Sequence, residues 1–244
     1  MDKVIDAFSA RLLERGIPLA PRQLEQFQRY YELLVDWNER MNLTGITERA
    51  AVFEKHFYDS VTLAFYADLS SADRLADIGS GAGFPSLPLK ICFPQLQVTI
   101  VDSLAKRISF LQHVCEQLGL EDVQCVHGRA EDIGRLPEHR DRYAIVTARA
   151  VARMAGLSEL CLPFARKGGL FAAMKGADPQ EELEEAKHAI RELRGRVDRV
   201  ETLRLPEEQS ERAIILIAKT DATPKAYPRK AGVPLKQPML KRRG

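Results

Sequence analysis

Leu75-Ala76-Asp77-Ile78-Gly79-Ser80-Gly81-Ala82-Gly83-Phe84-Pro85 decides how this chain folds. A short apolar run containing one acid leads straight into three glycines on alternate positions. The pattern predicts a buried β-strand turning tightly into a helix. Glycine takes φ > 0 without steric cost and lets a ligand approach with no Cβ in the way. The helix that follows offers free N–H groups and the positive end of its dipole. Together these features predict a nucleotide-sized site at the carboxyl edge of an α/β sheet.

Spacing says more about the nucleotide than the glycines do. A dinucleotide fold wants G-x-G-x-x-G. Counted from Gly79, its last position is Phe84, and the third glycine falls one residue early, at Gly83. A phosphate loop needs a Lys-Ser/Thr pair after its last glycine, and none follows. The run D-x-G-x-G-x-G resembles motif I of class I S-adenosylmethionine-dependent methyltransferases; a plain surface turn is the alternative. The next apolar segment, Gln97-Val98-Thr99-Ile100-Val101-Asp102, is β-branched and also ends in an acid. Asp102 lies where a carboxylate accepts both ribose hydroxyls of a nucleoside, a feature shared with NAD-binding folds. Asp102 or Ser103 would serve equally as N-cap of a helix starting near Leu104.

The 244 residues, 45% hydrophobic and 29% charged, suit one globular domain with a helical extension or two small domains. No apolar run approaches the ~18 residues of a membrane span, and the N-terminus lacks a signal-peptide core. Cys92, Cys115, Cys125 and Cys161 are widely spaced and read as core thiols of a reducing, cytoplasmic protein. The five histidines are scattered, and no metal site is expected. Charge is uneven. Residues 219–244 carry eight Lys/Arg against Asp221 (+7), whereas the remainder has 28 basic and 33 acidic residues (−5). A basic, proline-rich end on an acidic body points to a polyanion, or is simply a solvated terminus.

Three helices are predicted first, over 3–15, 22–40 and about 48–66. Pro21 stands at a first turn and Thr47 as an N-cap. From about 73 the chain alternates: strands at 74–78, 97–101, 123–127, 143–148 and 169–174, with helices at about 84–92, 104–118, 152–165 and 179–194. Two strands near 197–204 and 212–218 close the pattern without a helix between them. This predicts a Rossmann-like, seven-stranded, mostly parallel doubly wound α/β sheet ending in an antiparallel hairpin. Such a hairpin distinguishes the class I methyltransferase sheet from the dinucleotide fold. Expected parts are an N-terminal helical cap (1–66), a methyltransferase domain (67–220) and a basic C-terminal tail (221–244).

Ligands of such sheets gather outside the strands' carboxyl ends. Those ends supply Asp77, Gly79, Gly81, Gly83 and Phe84; Asp102 and Ser103; Gly128-Arg129-Ala130-Glu131; and Thr147-Ala148-Arg149-Ala150. Backbone and side-chain groups of Ala130 and Glu131 are placed to face an adenine edge. Arg149 emerges where a methyl group should meet its acceptor, or serves as a surface ion-pair partner. With Asn42-Leu43-Thr44 and Tyr227-Pro228-Arg229-Lys230, these segments resemble the bacterial small-subunit rRNA guanine-N7 methyltransferases (RsmG), also called the glucose-inhibited division protein B family. The resemblance spans nearly the whole chain. It implies an S-adenosyl-L-methionine donor, with S-adenosyl-L-homocysteine as product. The implied acceptor is guanine N7 in a 16S rRNA loop near the decoding region of the small ribosomal subunit. It also implies cofactor contacts at Gly79, Phe84, Ala130, Glu131 and Arg149.

The implied chemistry needs no general base, because N7 is an in-plane lone pair with no proton to lose. Alignment of N7 with the methyl group, ~3 Å apart and in line, carries most of the catalysis. The methylated base becomes cationic, so a carboxylate in the pocket helps. Arg149 or Lys175 would orient the base through O6; Lys175 could equally be a solvated strand-end charge. His56, Tyr58 and Asp59 can reach the site from the cap, but read better as a satisfied helix face. In A-form RNA the major groove is too narrow to read, so the guanine sits in a loop or is splayed out. Tyr227, Arg229, Lys230 and Lys236 then read as RNA contacts, and deletion of 225–244 is expected to spare cofactor binding. A monomer is expected. Three other readings remain open: an NAD-dependent oxidoreductase, a non-catalytic RNA-binding module, and a methyltransferase acting on another acceptor.

Overall fold

The computed structural model describes residues 2–240; Lys241, Arg242 and Arg243 of the basic end lie outside them. Seven strands form one sheet: β1 (Arg74–Ile78), β2 (Gln97–Asp102), β3 (Val123–His127), β4 (Tyr143–Arg149), β5 (Ala165–Lys175), β6 (Gly195–Arg204) and β7 (Glu211–Lys219). Their order is β3-β2-β1-β4-β5-β7-β6. The first five are parallel, and β7 runs antiparallel to both β5 and β6. The chain leaves β1 toward β2 on one side and returns to β4 on the other. This reversal opens a crevice at the carboxyl ends of β1 and β4.

Strand residues alternate between two cores, as a two-residue period requires. Leu75, Val98, Ile100 and Leu216 face one core together with Phe8 and Leu12 of α1 (Lys3–Glu14), Phe27 and Tyr30 of α2 (Pro21–Met41), and Phe110 of α6 (Ala105–Leu118). Ala76, Ile78, Ile215 and Ile217 face the other, against α8 (Met154–Cys161) and α9 (Gln180–Glu192). The N-terminal helices therefore share one continuous core with the first sheet face. No helix among the described residues is long and apolar enough to cross a membrane.

Two local expectations are corrected. The single helix over 48–66 is broken: α3 (Arg49–Val52) widens into a π-helical turn (Phe53–Tyr58), tightens to α4 (Asp59–Val61) and ends in a 3₁₀ turn (Thr62–Phe65). Its N-cap is Glu48 rather than Thr47, the carboxylate accepting from the N–H groups of Ala50 (3.0 Å) and Ala51 (2.7 Å). A π turn re-phases the side chains after it. Here Phe53 and Phe57 stay in the core while His56 and Asp59 reach the crevice. Strand β5 begins at Ala165, earlier than its apolar pattern. Polar Arg166-Lys167-Gly168-Gly169 extends it past a register shift against β4. Gly169 allows this, since a Cβ there would lie 2.9 Å from three backbone carbonyls.

Candidate active site

The turn after β1 holds the site. Gly79, Gly81 and Gly83 all have positive φ (+75°, +61° and +97°), but for different reasons. A Cβ on Gly79 would meet Val151 at 2.9 Å, and one on Gly83 would meet the Tyr30 hydroxyl at 2.4 Å and Leu87 at 2.8 Å. At Gly81 a Cβ would meet no atom of the described residues within 4 Å. The structure thus gives Gly83, expected as a cofactor residue, a packing role beneath α2, where the Tyr30 hydroxyl donates to the Ala82 carbonyl. Gly81 is the glycine that faces open space.

Two acids lie behind this turn. Asp77 is fully buried; one carboxyl oxygen accepts from the Ser86 N–H at 3.2 Å and the other has no partner. Burial pushes its pKa up to about 7, against smaller opposing pulls from Ser86 and Ser80. Asp102, 2% exposed, accepts from the Gly81 N–H (3.1 Å) and the Leu104 N–H (2.9 Å), with Arg107 at 3.4 Å. Its carboxylate thereby joins the glycine turn to the start of α6. The expected capping by Asp102 or Ser103 is corrected: Leu104 is the N-cap of α6, with no side-chain cap bond, and Asp102 accepts from its N–H.

Because the folded Asp77 carboxyl keeps its proton to about pH 7 while the unfolded one loses it near 3.8, the folded state binds more protons in that window. Stability of the ligand-free protein is therefore lost as pH rises from about 4 to 7 on account of this group. Asp77→Asn removes that cost. The variant is expected to be more stable than the parent by about 2–4 kcal/mol above pH 7, with the gap closing toward pH 4. Denaturant unfolding at pH 4.5 and 8 checks this, and a pH-independent gap would refute it.

On the far side of β2, a cavity of ≈110 Å³ is lined by Gly79, Val101, Ser103, Ala130, Val151 and Leu235, among others. Ala130 opens α7 (Ala130–Ile133). The Glu131 carboxylate, 2% exposed, accepts from the Gly232 N–H at 2.7 Å. Glu131 also lines this cavity, while its carboxylate holds the C-terminal segment.

On the near side, at the ends of β4 and β5, lies a larger cavity of ≈470 Å³. Its charged walls are Lys55, Asp59, Arg149, Lys175, Glu182 and Arg212. Arg149 donates to Asp59 at 2.9 Å and to the Lys55 carbonyl at 3.1 Å, and its guanidinium lies 4.9 Å from the centre of the Phe84 ring. Arg212 approaches the other Asp59 oxygen at 3.3 Å. His56 stacks on Phe84 at 4.6 Å and 20°. Burial, and after it the Arg149 charge, lowers the imidazole pKa to about 4, so the ring is neutral at pH 7. Nδ1 then accepts from Arg149 (3.4 Å), leaving Nε2–H to donate to the Thr44 hydroxyl (2.8 Å), the tautomer following from this network. Lys175 is tied to Glu182 (2.7 Å) and the Ala152 carbonyl (2.7 Å).

His56 and Asp59, read from sequence as an ordinary helix face, are thus part of the site, as is Arg212; Tyr58 is not among the residues lining this cavity. Titratable Glu54, Lys55, His56 and Asp59 among Phe53, Phe57 and Tyr58 were the available signal. Arg212 gave none.

The basic end is folded onto the body. Lys219 is buried and donates to Asp141 at 2.9 Å. Arg229 forms a two-pronged pair with fully buried Glu159 (3.0 and 2.7 Å). Tyr227 packs against the second core, and its carbonyl accepts from Arg140 at 2.7 Å. The reading of Tyr227 and Arg229 as free RNA contacts is corrected: the ring and the guanidinium are spent on the protein itself. Lys225, Lys230 and Lys236 are exposed.

Comparisons with known proteins agree with this geometry. Residues 23–213 match the family described as rRNA small subunit methyltransferase G. The chain is 57% identical to a Brevibacillus brevis protein of the name ribosomal RNA small subunit methyltransferase G, over 96% of this chain and 99% of that one. It is 54% identical to the Bacillus subtilis protein of the same name, over 96% and 98%. Among solved structures, an O-methyltransferase from Bacillus cereus in complex with S-adenosylhomocysteine superposes with TM-score 0.56 at 15% identity, covering 88% of this chain and all of that one. A putative O-methyltransferase from Klebsiella pneumoniae gives 0.57 at 15% identity, over 88% and 96%. At that identity these two speak for the fold.

Proposed function

The chain belongs to the rRNA small subunit methyltransferase G family, and from that premise we propose that it methylates N7 of a guanine in a loop of 16S rRNA near the decoding region, using S-adenosyl-L-methionine. The observation that carries the reading is a charged cavity with Arg149 and Asp59 at the carboxyl ends of β4 and β5, one strand away from the glycine turn that follows β1. A second, smaller cavity is lined by Gly79 of that turn with Val101, Ser103 and Ala130.

The residues fit this cofactor. The space over Gly81 leaves room for a ligand, Asp102 stands at the ribose position, and Asp77 offers an unpartnered, buried oxygen near the turn. When bound, the cofactor supplies a methyl group on a positively charged sulfonium. The chain's own groups do the rest. Phe84, buried, carries His56 and Arg149 against its ring, and both of those line the larger cavity. Arg149, fixed by Asp59 and the Lys55 carbonyl, is placed to donate to a base carbonyl such as O6. A purine methylated at N7 would carry positive charge. Asp59, 4% exposed, is a fixed carboxylate near that charge. No group need remove a proton, and His56, neutral and hydrogen-bonded at both nitrogens, is not poised as a base.

In this reading residues 1–66 shape the acceptor cavity, 67–220 hold the cofactor, and 221–244 carry Lys225, Lys230 and Lys236 toward phosphate. The protein works in the cytoplasm, as a monomer. The test is transfer of label from S-adenosylmethionine to unmodified small-subunit RNA and particles, followed by nucleoside mass analysis. Labelled 7-methylguanosine is the expected product. Intact cofactor binding with no incorporation into either substrate would move the acceptor elsewhere.

A further inference from the structure

The cavity beyond β2 has walls from the strand-end loops and one from far away in sequence. Leu235 lines it, although it belongs to the segment after the sheet is complete. That segment is fastened around the cavity's edge. Arg229 is held by Glu159 on α8 through both its backbone N–H (2.7 Å) and its guanidinium. Arg140 donates to the carbonyls of Thr223, Pro224 and Tyr227 (2.9, 3.0 and 2.7 Å). Gly232, with φ +82°, presents its N–H to Glu131, and Pro234 is buried.

α8 is shaped to receive the segment. A Cβ on Gly156 would come within 2.9 Å of Leu235 and 3.0 Å of the Pro234 carbonyl. Leu235 itself stays 44% exposed, a large apolar side chain left open at the rim of a small cavity. A planar apolar ligand lying in that cavity would cover it.

We propose that the segment Gly232–Leu235 is the outer wall of the nucleoside half of the cofactor site, with Leu235 in contact with the adenine and Glu131 a positioning residue that holds the wall through Gly232. The proposal rests on the cofactor reading above. It reverses the expectation that loss of the C-terminal segment spares cofactor binding. Exposed Lys230 and Lys236 flank Leu235 on the same segment.

Calorimetric titration of the full chain with S-adenosylhomocysteine, and separately with 5′-methylthioadenosine, tests it. Leu235→Ala is expected to weaken both by about five- to tenfold, by the same factor, since the lost contact lies on the nucleoside they share. The melting temperature of the ligand-free variant should be unchanged. Gly156→Ala is the second variant. It favours α8 as a helix yet pushes the wall outward, so weaker binding without a lower melting temperature is expected. Glu131→Gln keeps an acceptor for Gly232 and should bind nearly as the parent does, whereas Glu131→Ala should not. Unchanged affinity in both Leu235→Ala and Gly156→Ala would overturn the proposal. If the unaltered chain bound neither ligand, the cofactor reading itself would fall, and the proposal with it.

Discussion

Replacing Arg149 with alanine is expected to lower methyl transfer at saturating cofactor by about 10²- to 10³-fold, while weakening S-adenosylhomocysteine binding several-fold. The guanidinium lines the larger cavity, over Phe84 on one side and against Asp59 on the other. Its removal withdraws a donor aimed at the acceptor and strips one neighbour from Phe84, leaving His56, Tyr30 and Phe57 against the ring. It also leaves Asp59, almost fully buried, with Arg212 alone, at a cost of about 1–3 kcal/mol in stability. Arg149→Lys keeps a charge but cannot reach Asp59 and the Lys55 carbonyl with one planar fork, so it should recover stability better than turnover. Single-turnover transfer measured beside equilibrium binding separates these effects. A variant with parental binding and parental turnover would remove Arg149 from the mechanism.

The second large effect concerns two glycines that look alike in the sequence. Gly83→Ala is expected to destabilise the protein by about 2–5 kcal/mol. Strain at φ +97° contributes about 1–2 kcal/mol, and forcing a methyl against the Tyr30 hydroxyl and Leu87 contributes about 1–3. In a chain of this size the melting temperature should fall by roughly 10 °C. Gly81→Ala, with φ +61° and no atom of the described residues within 4 Å of its Cβ, should cost about 1 kcal/mol in stability yet weaken S-adenosylhomocysteine binding by at least about tenfold. Tyr30→Phe combined with Gly83→Ala tests the cause. Relief of part of the destabilisation in the double variant would confirm the hydroxyl as the obstacle. Equal melting temperatures for Gly81→Ala and Gly83→Ala would contradict the division of roles.

Much of this protein is written locally in its sequence. The alternation of apolar runs placed the strands, because a side-chain period of two is a property of neighbouring residues. The missing helix between Val197–Arg204 and Arg212–Ala218 foretold the antiparallel hairpin. The glycine spacing, Asp102 and Arg149 were legible because each ends a strand, and strand ends of a parallel sheet converge. The π turn was not legible. Residues 48–66 carry a helix-like pattern, and only packing of Phe53 and Phe57 beneath α2 selects the wider turn that brings His56 and Asp59 to the crevice. The basic end misled for a related reason. Charge counting treats Arg229 and Lys219 as free, whereas Glu159 and Asp141, 70 and 78 residues away, neutralise them.

The chain's own order of residues thus determined the strands, the hairpin and the glycine turn at the end of β1, because each is marked by the pattern of neighbouring residues. Tertiary structure alone decided which glycine faces a ligand and which faces Tyr30. It likewise decided that Glu131 grips the C-terminal segment, and that Leu235 stands at the nucleoside cavity. Each of those choices is made by a partner about 50 residues or more distant, and no local pattern records which surfaces the folded sheet will press together.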